Sequence, residues 1–134
     1  MRRDREGFAF PHVHSDLCVR CGRCTAVCPA LHARPQRQQT DPPAAFAAWN
    51  PEAGIRWDSS SGGAFSALAN YVLEGGGVVF GAALDGRQRV IHSAVLRKED
   101  LWRLRGAKYV QSDLGETFRQ VRRSLERGPV LFSG

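Results

Sequence analysis

Cys18-Val19-Arg20-Cys21-Gly22-Arg23-Cys24-Thr25-Ala26-Val27-Cys28-Pro29 holds every cysteine of the 134-residue chain. A disulfide framework spreads its cysteines so that each bridge staples distant segments. Four thiols crowded into one short run are arranged as ligands instead.

The spacing, Cys-x2-Cys-x2-Cys-x3-Cys-Pro, is the bacterial ferredoxin pattern for a [4Fe–4S] cluster. Thiolates at positions 18, 21 and 24 of one tight loop wrap a single cube, each reaching a different iron. Gly22 lets the backbone approach the inorganic sulfides, where amide N–H groups stabilise negative charge. Pro29 turns the chain away after the fourth cysteine. Structural zinc is the competing account, with His12, His14 and His32 nearby as nitrogen donors. Zinc sites, however, collect their ligands from two separated knuckles rather than one continuous run. Radical S-adenosylmethionine sites use a wider first spacing.

Cys28 has two possible roles. In two-cluster ferredoxins the fourth cysteine of each run ligates the other cluster. The chain carries one run only. Either Cys28 completes the site of Cys18, Cys21 and Cys24, or it serves a second cluster whose remaining ligands lie elsewhere.

Composition sets the broad class. The chain is 43% hydrophobic and 24% charged, as in globular proteins, with a net charge of +6. Its arginines are scattered, which suits a solvated surface better than a nucleic-acid tract. No helix-turn-helix, RNA-recognition or zinc-finger pattern is present, so no specific nucleic-acid partner is expected. No run approaches the length of a membrane span, and Met1-Arg-Arg-Asp-Arg-Glu6 is not followed by the apolar stretch of a secretory signal. The expected location is cytoplasmic.

Outward from the cysteines, Phe8, Phe10 and His12 alternate as in a short strand. Residues 1–33 form one module. Residues 34–57, with Pro35, Pro42, Pro43, Pro51 and a Gln-Arg-Gln-Gln tract, read as an irregular linker. From residue 58 the pattern changes. Phe65, Leu68, Ala69, Val72 and Leu73 mark a helical face, with Ser61 as its expected N-cap and Gly75-Gly76-Gly77 as its stop. Val78–Leu84 reads as a buried strand. Asp85-Gly86 is a turn, and 90–96 a second, hairpin-paired strand. A short helix at 99–104 and an extended stretch at 108–112 follow. The next helix spans 117–127, striped by Phe118, Val121 and Leu125, and 129–132 reads as a last strand. The fold class is α+β / α/β: a partial ferredoxin-like 4Fe–4S module, then an incomplete α/β domain over 58–134.

Four further segments narrow the family. They are Ser59-Ser60-Ser61-Gly62-Gly63-Ala64-Phe65, Gly76-Gly77-Val78-Val79-Phe80-Gly81-Ala82, Leu104-Arg105-Gly106-Ala107-Lys108-Tyr109-Val110-Gln111-Ser112, and Gly128-Pro129-Val130-Leu131-Phe132-Ser133-Gly134. In this order after a ferredoxin run, they resemble the coenzyme F420 hydrogenase/dehydrogenase β-subunit family over nearly the whole chain. The resemblance implies that residues 58–134 are the N-terminal part of a flavin-binding domain. FAD would exchange electrons with the cluster, and Ser60, Ser61, Gly62, Gly63 and Lys108 would lie near the flavin. It implies a redox partner protein or subunit and, in some relatives, the deazaflavin coenzyme as substrate. The chain departs from the pattern in having one cysteine run, Ala107 where serine is usual, and no Thr-Pro-Cys-Gln stretch after Gly134. It therefore reads as truncated at both ends.

Taken alone, the residues are compatible with that role without requiring it. Ser61-Gly62-Gly63 before a helix offers free N–H groups to a phosphate, but also reads as a simple cap. Lys108 reads equally as solvated surface, and His92 as a satisfied core or surface histidine. No catalytic acid–base pair is evident. Two functions are expected: an oxidoreductase subunit passing electrons between a [4Fe–4S] cluster and a flavin, or a non-catalytic ferredoxin-like adaptor or truncated remnant.

Overall fold

The computed structural model describes residues 1–32 and 42–134. Pro35 and the tract Gln36-Arg37-Gln38-Gln39, both part of the expected linker, lie outside the described residues. The chain divides into two compact units, Met1–Phe46 and Ala47–Gly134. The division falls inside the stretch read as a linker.

The first unit opens with a minimal hairpin. Strand β1 (Arg2–Arg3) pairs antiparallel with β2 (Ala9–Phe10), Arg2 opposite Phe10. Asp4 builds the connection by accepting the N–H groups of Glu6 at 3.0 Å and Phe8 at 2.8 Å. This is the Asx turn that short acidic side chains favour. The alternation at 8–12 thus yields only two paired residues. Helix α1 (Arg23–Ala26) lies within the cysteine run.

The second unit is an α+β layer structure. Its helices are α2 (Ala53–Trp57), α3 (Ala64–Glu74), a 3₁₀ helix (Lys98–Leu104) and α4 (Thr117–Leu125). Its sheet has the order β4-β3-β5, from β3 (Val78–Leu84), β4 (Val90–Val95) and β5 (Val130–Phe132). The β3/β4 pair is an antiparallel hairpin, Val79 opposite Val95 and Leu84 opposite Val90, while β5 runs parallel to β3.

Strand alternation decides where the core sits. Val79, Ala83, Val95 and Leu131 share one face with Ala69 and Val72 of α3 and Leu101 and Leu104 of the 3₁₀ helix. Full burial of aliphatic side chains of this size stabilises by about 1.5–3 kcal/mol each. On the other face, α4 packs against β5 and β3. Phe118 stacks on Phe132 there, their ring centroids 5.5 Å apart.

Three expectations need correction. Ser61 is not the N-cap of α3: the helix begins one residue after Gly63, whose φ of 76° ends the loop in a left-handed conformation. Residues 53–57 are helical rather than irregular, because Arg56 fastens that turn to the carbonyls of Asn50 and Pro51. The stripe of α4 is rotated. Thr117 is its buried residue, while Leu125 stays exposed and Phe118, stacked on Phe132, is only partly covered. Residues 108–112, read as an extended stretch, hold no regular element. The bridge to β4 comes one residue later, with His92 N–H donating to Asp113 at 3.0 Å and Asp113 N–H to Val90 at 2.9 Å.

Candidate functional site

In the first unit, sequence and backbone geometry together shape the cysteine loop. Arg20 and Gly22 flank Cys21 and both adopt positive φ, 53° and 72°. Two left-handed residues so close together curl the chain back on itself, which keeps Cys18, Cys21 and Cys24 on one compact loop. Gly22 then leads into α1. Its carbonyl accepts the Thr25 hydroxyl at 2.6 Å and the Ala26 N–H at 3.0 Å. Cys28 follows the helix, its N–H donating to Thr25 at 3.2 Å and its carbonyl accepting from Leu31 and His32.

All four cysteines are free thiols. Cys18, Cys21 and Cys24 are exposed and Cys28 is partly covered. Among the described residues, the N–H groups of Val19, Arg20 and Cys21 have no protein acceptor. Four free thiols beside unspent amide donors suit a polyanionic sulfide cluster, whose sulfurs accept hydrogen bonds. Among the described residues, no three His, Cys, Asp or Glu side chains converge on a point that would hold one ion. A cube asks for something else, since each thiolate binds its own iron. His32, a nitrogen donor in the zinc account, already commits Nε2, which donates to the Thr25 carbonyl at 2.9 Å.

In the second unit, Ser60, Ser61, Gly62 and Gly63 are brought together around a cavity of about 170 Å³. Ser59, Ser66, Arg105 and Gly106 complete its polar wall. The loop is held from behind by Asn50, which is only 5% exposed. Asn50 donates its N–H to Gly62 at 2.7 Å, and its Oδ1 accepts the Glu52 N–H at 2.9 Å. Gly62 is required by crowding: a Cβ there would sit 2.8 Å from the Ala48 carbonyl oxygen. The Ser59 hydroxyl donates to Ile55 at 2.6 Å, fixing the start of the serine run.

Arg105 is the charged group of this cavity. Its Nε donates to Ser66 Oγ at 3.1 Å, and a terminal nitrogen lies 3.5 Å from Asp58 Oδ2. Its side chain is 19% exposed. Lys108, which the resemblance implies near the flavin, is not among the residues lining this cavity. Its ammonium donates instead to the Arg105 carbonyl at 2.7 Å, and burial pushes its pKa below the usual lysine range. Lys108 is thus tied to the backbone of Arg105, which lines the cavity.

Sequence reasoning missed Asn50 and Arg105. Arg105 stands inside the Leu104-Arg-Gly106 segment, so its position was visible and its role was not. Asn50 carries no local signal, because only its tertiary contact with Gly62 gives it importance.

Residues 11–66 match the family model of the 4Fe-4S dicluster domain, a span that includes all four cysteines. That match covers less than half of the chain. Neither the curated proteins nor the solved structures yield a match. Nothing found in the comparisons ties the chain to the coenzyme F420 hydrogenase/dehydrogenase β-subunit family in particular. Although the model describes two clusters, residues 29–66 contain no cysteine, so the matched span has thiolates for one. Among the described residues, no helix is long and apolar enough to cross a membrane.

Proposed function

We propose that the chain is an iron–sulfur electron-transfer protein in which Cys18, Cys21, Cys24 and Cys28 hold one [4Fe–4S] cluster. The observation carrying this is the run of four free thiols within the stretch that matches a 4Fe–4S domain. The bound cluster supplies one-electron chemistry. The chain's own part would be to hold the thiolates on a curled loop, offer the N–H groups of Val19, Arg20 and Cys21 to the sulfurs and tune the potential through local charge. Anaerobic reconstitution with iron and sulfide tests it. A broad absorption near ~400 nm that bleaches on reduction, with about four irons per chain, is the expected result. Stoichiometric zinc without that band refutes it.

The finer reading joins this cluster to a flavin, FAD, held near Ser60–Gly63 with Arg105 and Lys108, as the resemblance to coenzyme F420 hydrogenase/dehydrogenase β-subunits implies. The chain would then be an oxidoreductase subunit with a redox partner protein and, in one form, the deazaflavin coenzyme as acceptor. Glycines and serines opening α3 beside an arginine suit a phosphate group. Flavin released on denaturing the purified protein is the test.

One observation favours the alternative, a ferredoxin-like adaptor without a flavin of its own. The cavity of about 170 Å³ is smaller than the roughly 300 Å³ at which ligand pockets begin. It suits a phosphate-sized group better than a whole flavin. An iron–sulfur band with no released flavin would decide for the adaptor.

A further inference from the structure

We propose that Ser112 is a nucleophile, with His92 as its general base, in a site that transfers acyl groups from small apolar esters. Neither residue belongs to the cysteine run, and neither lines the serine–glycine cavity. The activity is therefore independent of the cluster.

His92 stands on β4, and Ser112 immediately precedes the bridge at Asp113. His92 N–H donates to Asp113 at 3.0 Å and Asp113 N–H to Val90 at 2.9 Å, which fastens the serine beside the ring. Ser112 Oγ lies 2.6 Å from Nδ1, and Nε2 lies 3.0 Å from the Ser133 carbonyl oxygen. A carbonyl only accepts, so Nε2 carries the ring proton. Nδ1 of the neutral ring is then bare, and the Ser112 hydroxyl donates to it. This is the arrangement of an activated nucleophile: a base within reach of the hydroxyl, itself oriented by a third group. Phe132 stacks on the imidazole, centroids 4.9 Å apart and planes 9° from parallel, which holds the ring plane as well.

Three observations argue for more than a bond that satisfies a histidine. His92 and Ser112 are only partly covered, so water would serve Nδ1 without the serine, and a reagent can reach Oγ. The Ser112 N–H has no protein acceptor among the described residues, which leaves a donor on the nucleophile's own residue for a developing oxyanion. Ser133 directly follows β5, and its N–H donates to Phe80 at 2.9 Å. The imidazole it anchors therefore lies just past the carboxyl end of a parallel strand, where open α/β sheets take their ligands. The neighbouring rings choose the substrate. Phe132 stacks on Phe118 as well as on His92, and both phenylalanines reach solvent. They offer an apolar landing surface for the acyl or aryl group of an ester.

In the reaction, Ser112 Oγ bonds to the ester carbonyl carbon as its proton passes to His92 Nδ1. The bond from that carbon to the alcohol oxygen breaks, and the alcohol leaves with the proton from Nδ1. Water then attacks the acyl-serine in the same way, releasing the carboxylic acid and restoring the hydroxyl. The test treats the full chain with a fluorophosphonate, on which the serine oxygen replaces fluoride at phosphorus and hydrogen fluoride is released. One phosphonyl group per chain, mapped to Ser112 by mass spectrometry, is expected, together with hydrolysis of p-nitrophenyl butyrate. Ser112→Ala should abolish both. His92→Gln keeps a donor for Ser133 and an acceptor for Ser112 but removes the base, and should slow labelling about a hundredfold. Ser124→Ala, on α4, should label like the parent.

No adduct, an adduct on another residue, or a His92→Gln variant labelled at the parent's rate overturns the proposal and makes the Ser112–His92 bond purely structural. Equal labelling of the folded chain and of the chain unfolded in urea overturns it too, and that comparison needs no variant to fold. Labelling of Ser112 without release of p-nitrophenol overturns the acyl-transfer activity.

Discussion

Arg105 Nε donates to Ser66 Oγ at 3.1 Å, joining the residue after the 3₁₀ helix to the first turn of α3. Ser66 is 1% exposed, so its hydroxyl has been withdrawn from water and needs this partner. A hydrogen bond to a charged group is worth about 1.5–3 kcal/mol, and the partial exposure of Arg105 moves the expectation to the low end. Ser66→Ala should therefore lower unfolding stability by about 1.5 kcal/mol, read from urea titration. Arg105→Lys should cost a similar amount, because an ammonium cannot reproduce the forked geometry. An unchanged urea midpoint in both variants would show that the bond is not formed in solution.

The serine–glycine loop should be intolerant of even one added methyl group. A Cβ at position 62 meets a backbone carbonyl at 2.8 Å, and backbone cannot rotate away as a side chain does. At position 63 the φ of 76° adds conformational strain, and the Cβ would lie 3.1 Å from that of Asn50. Gly62→Ala is expected to destabilise by about 1–3 kcal/mol through this overpacking. Gly63→Ala should cost about 1–2 kcal/mol from the left-handed backbone. Differential scanning calorimetry checks both, and Gly54→Ala, where nothing lies within 4 Å, serves as control.

What the sequence made legible follows from whether the cause was local. The switch from 3.6-residue spacing at Phe65–Leu73 to the continuous run at Val78–Leu84 located α3 and β3, because each periodicity reports one burial geometry. Asp85-Gly86 located the hairpin because the turn is built from its own side chain. The cysteine run was legible for the same reason, all its chemistry lying within twelve positions. The failures have tertiary causes. Arg56 folds 53–57 into a helix by reaching two carbonyls upstream. The stripe of α4 turns because Phe118 finds Phe132. Thus most of the sheet could be read, and of the second unit's cavity only its glycine–serine wall.

Asp85 gives a pH signature. Its carboxylate accepts the N–H groups of Arg87 at 2.8 Å and Arg89 at 2.9 Å, and pairs with the Arg89 guanidinium at 2.8 Å. The Arg89 backbone bond is the largest influence, and together these contacts hold its pKa below the ordinary aspartate value, outweighing desolvation, which ranks second and opposes them. A carboxyl whose pKa is lowered on folding stabilises the fold above its unfolded value. That contribution fades as pH falls through the lowered one. Asp85→Asn should therefore melt earlier than the parent at neutral pH, with the two curves converging in acid. A gap that stays constant down to the most acidic pH would exclude the carboxylate as its source.

Cys28 poses the sharpest question, and iron counting answers it. The chain contains four cysteines, and the span that matches a two-cluster domain has no others. A [4Fe–4S] cluster uses four thiolates, so one cluster consumes the entire set. If Cys28 completes the site of Cys18, Cys21 and Cys24, reconstitution should stop at about four irons per chain. Cys28→Ala should then lose iron and absorbance, because one corner of the cube no longer has a protein ligand. Cys21→Ala should lose at least as much, since its thiolate sits between the two left-handed residues that curl the loop. The partial cover of Cys28, against the exposure of the other three, predicts a further difference. In the iron-free protein its thiol should react more slowly with a bulky maleimide. A Cys28→Ala variant that keeps the full iron content and an unaltered spectrum would free Cys28 from this cluster and assign it to another.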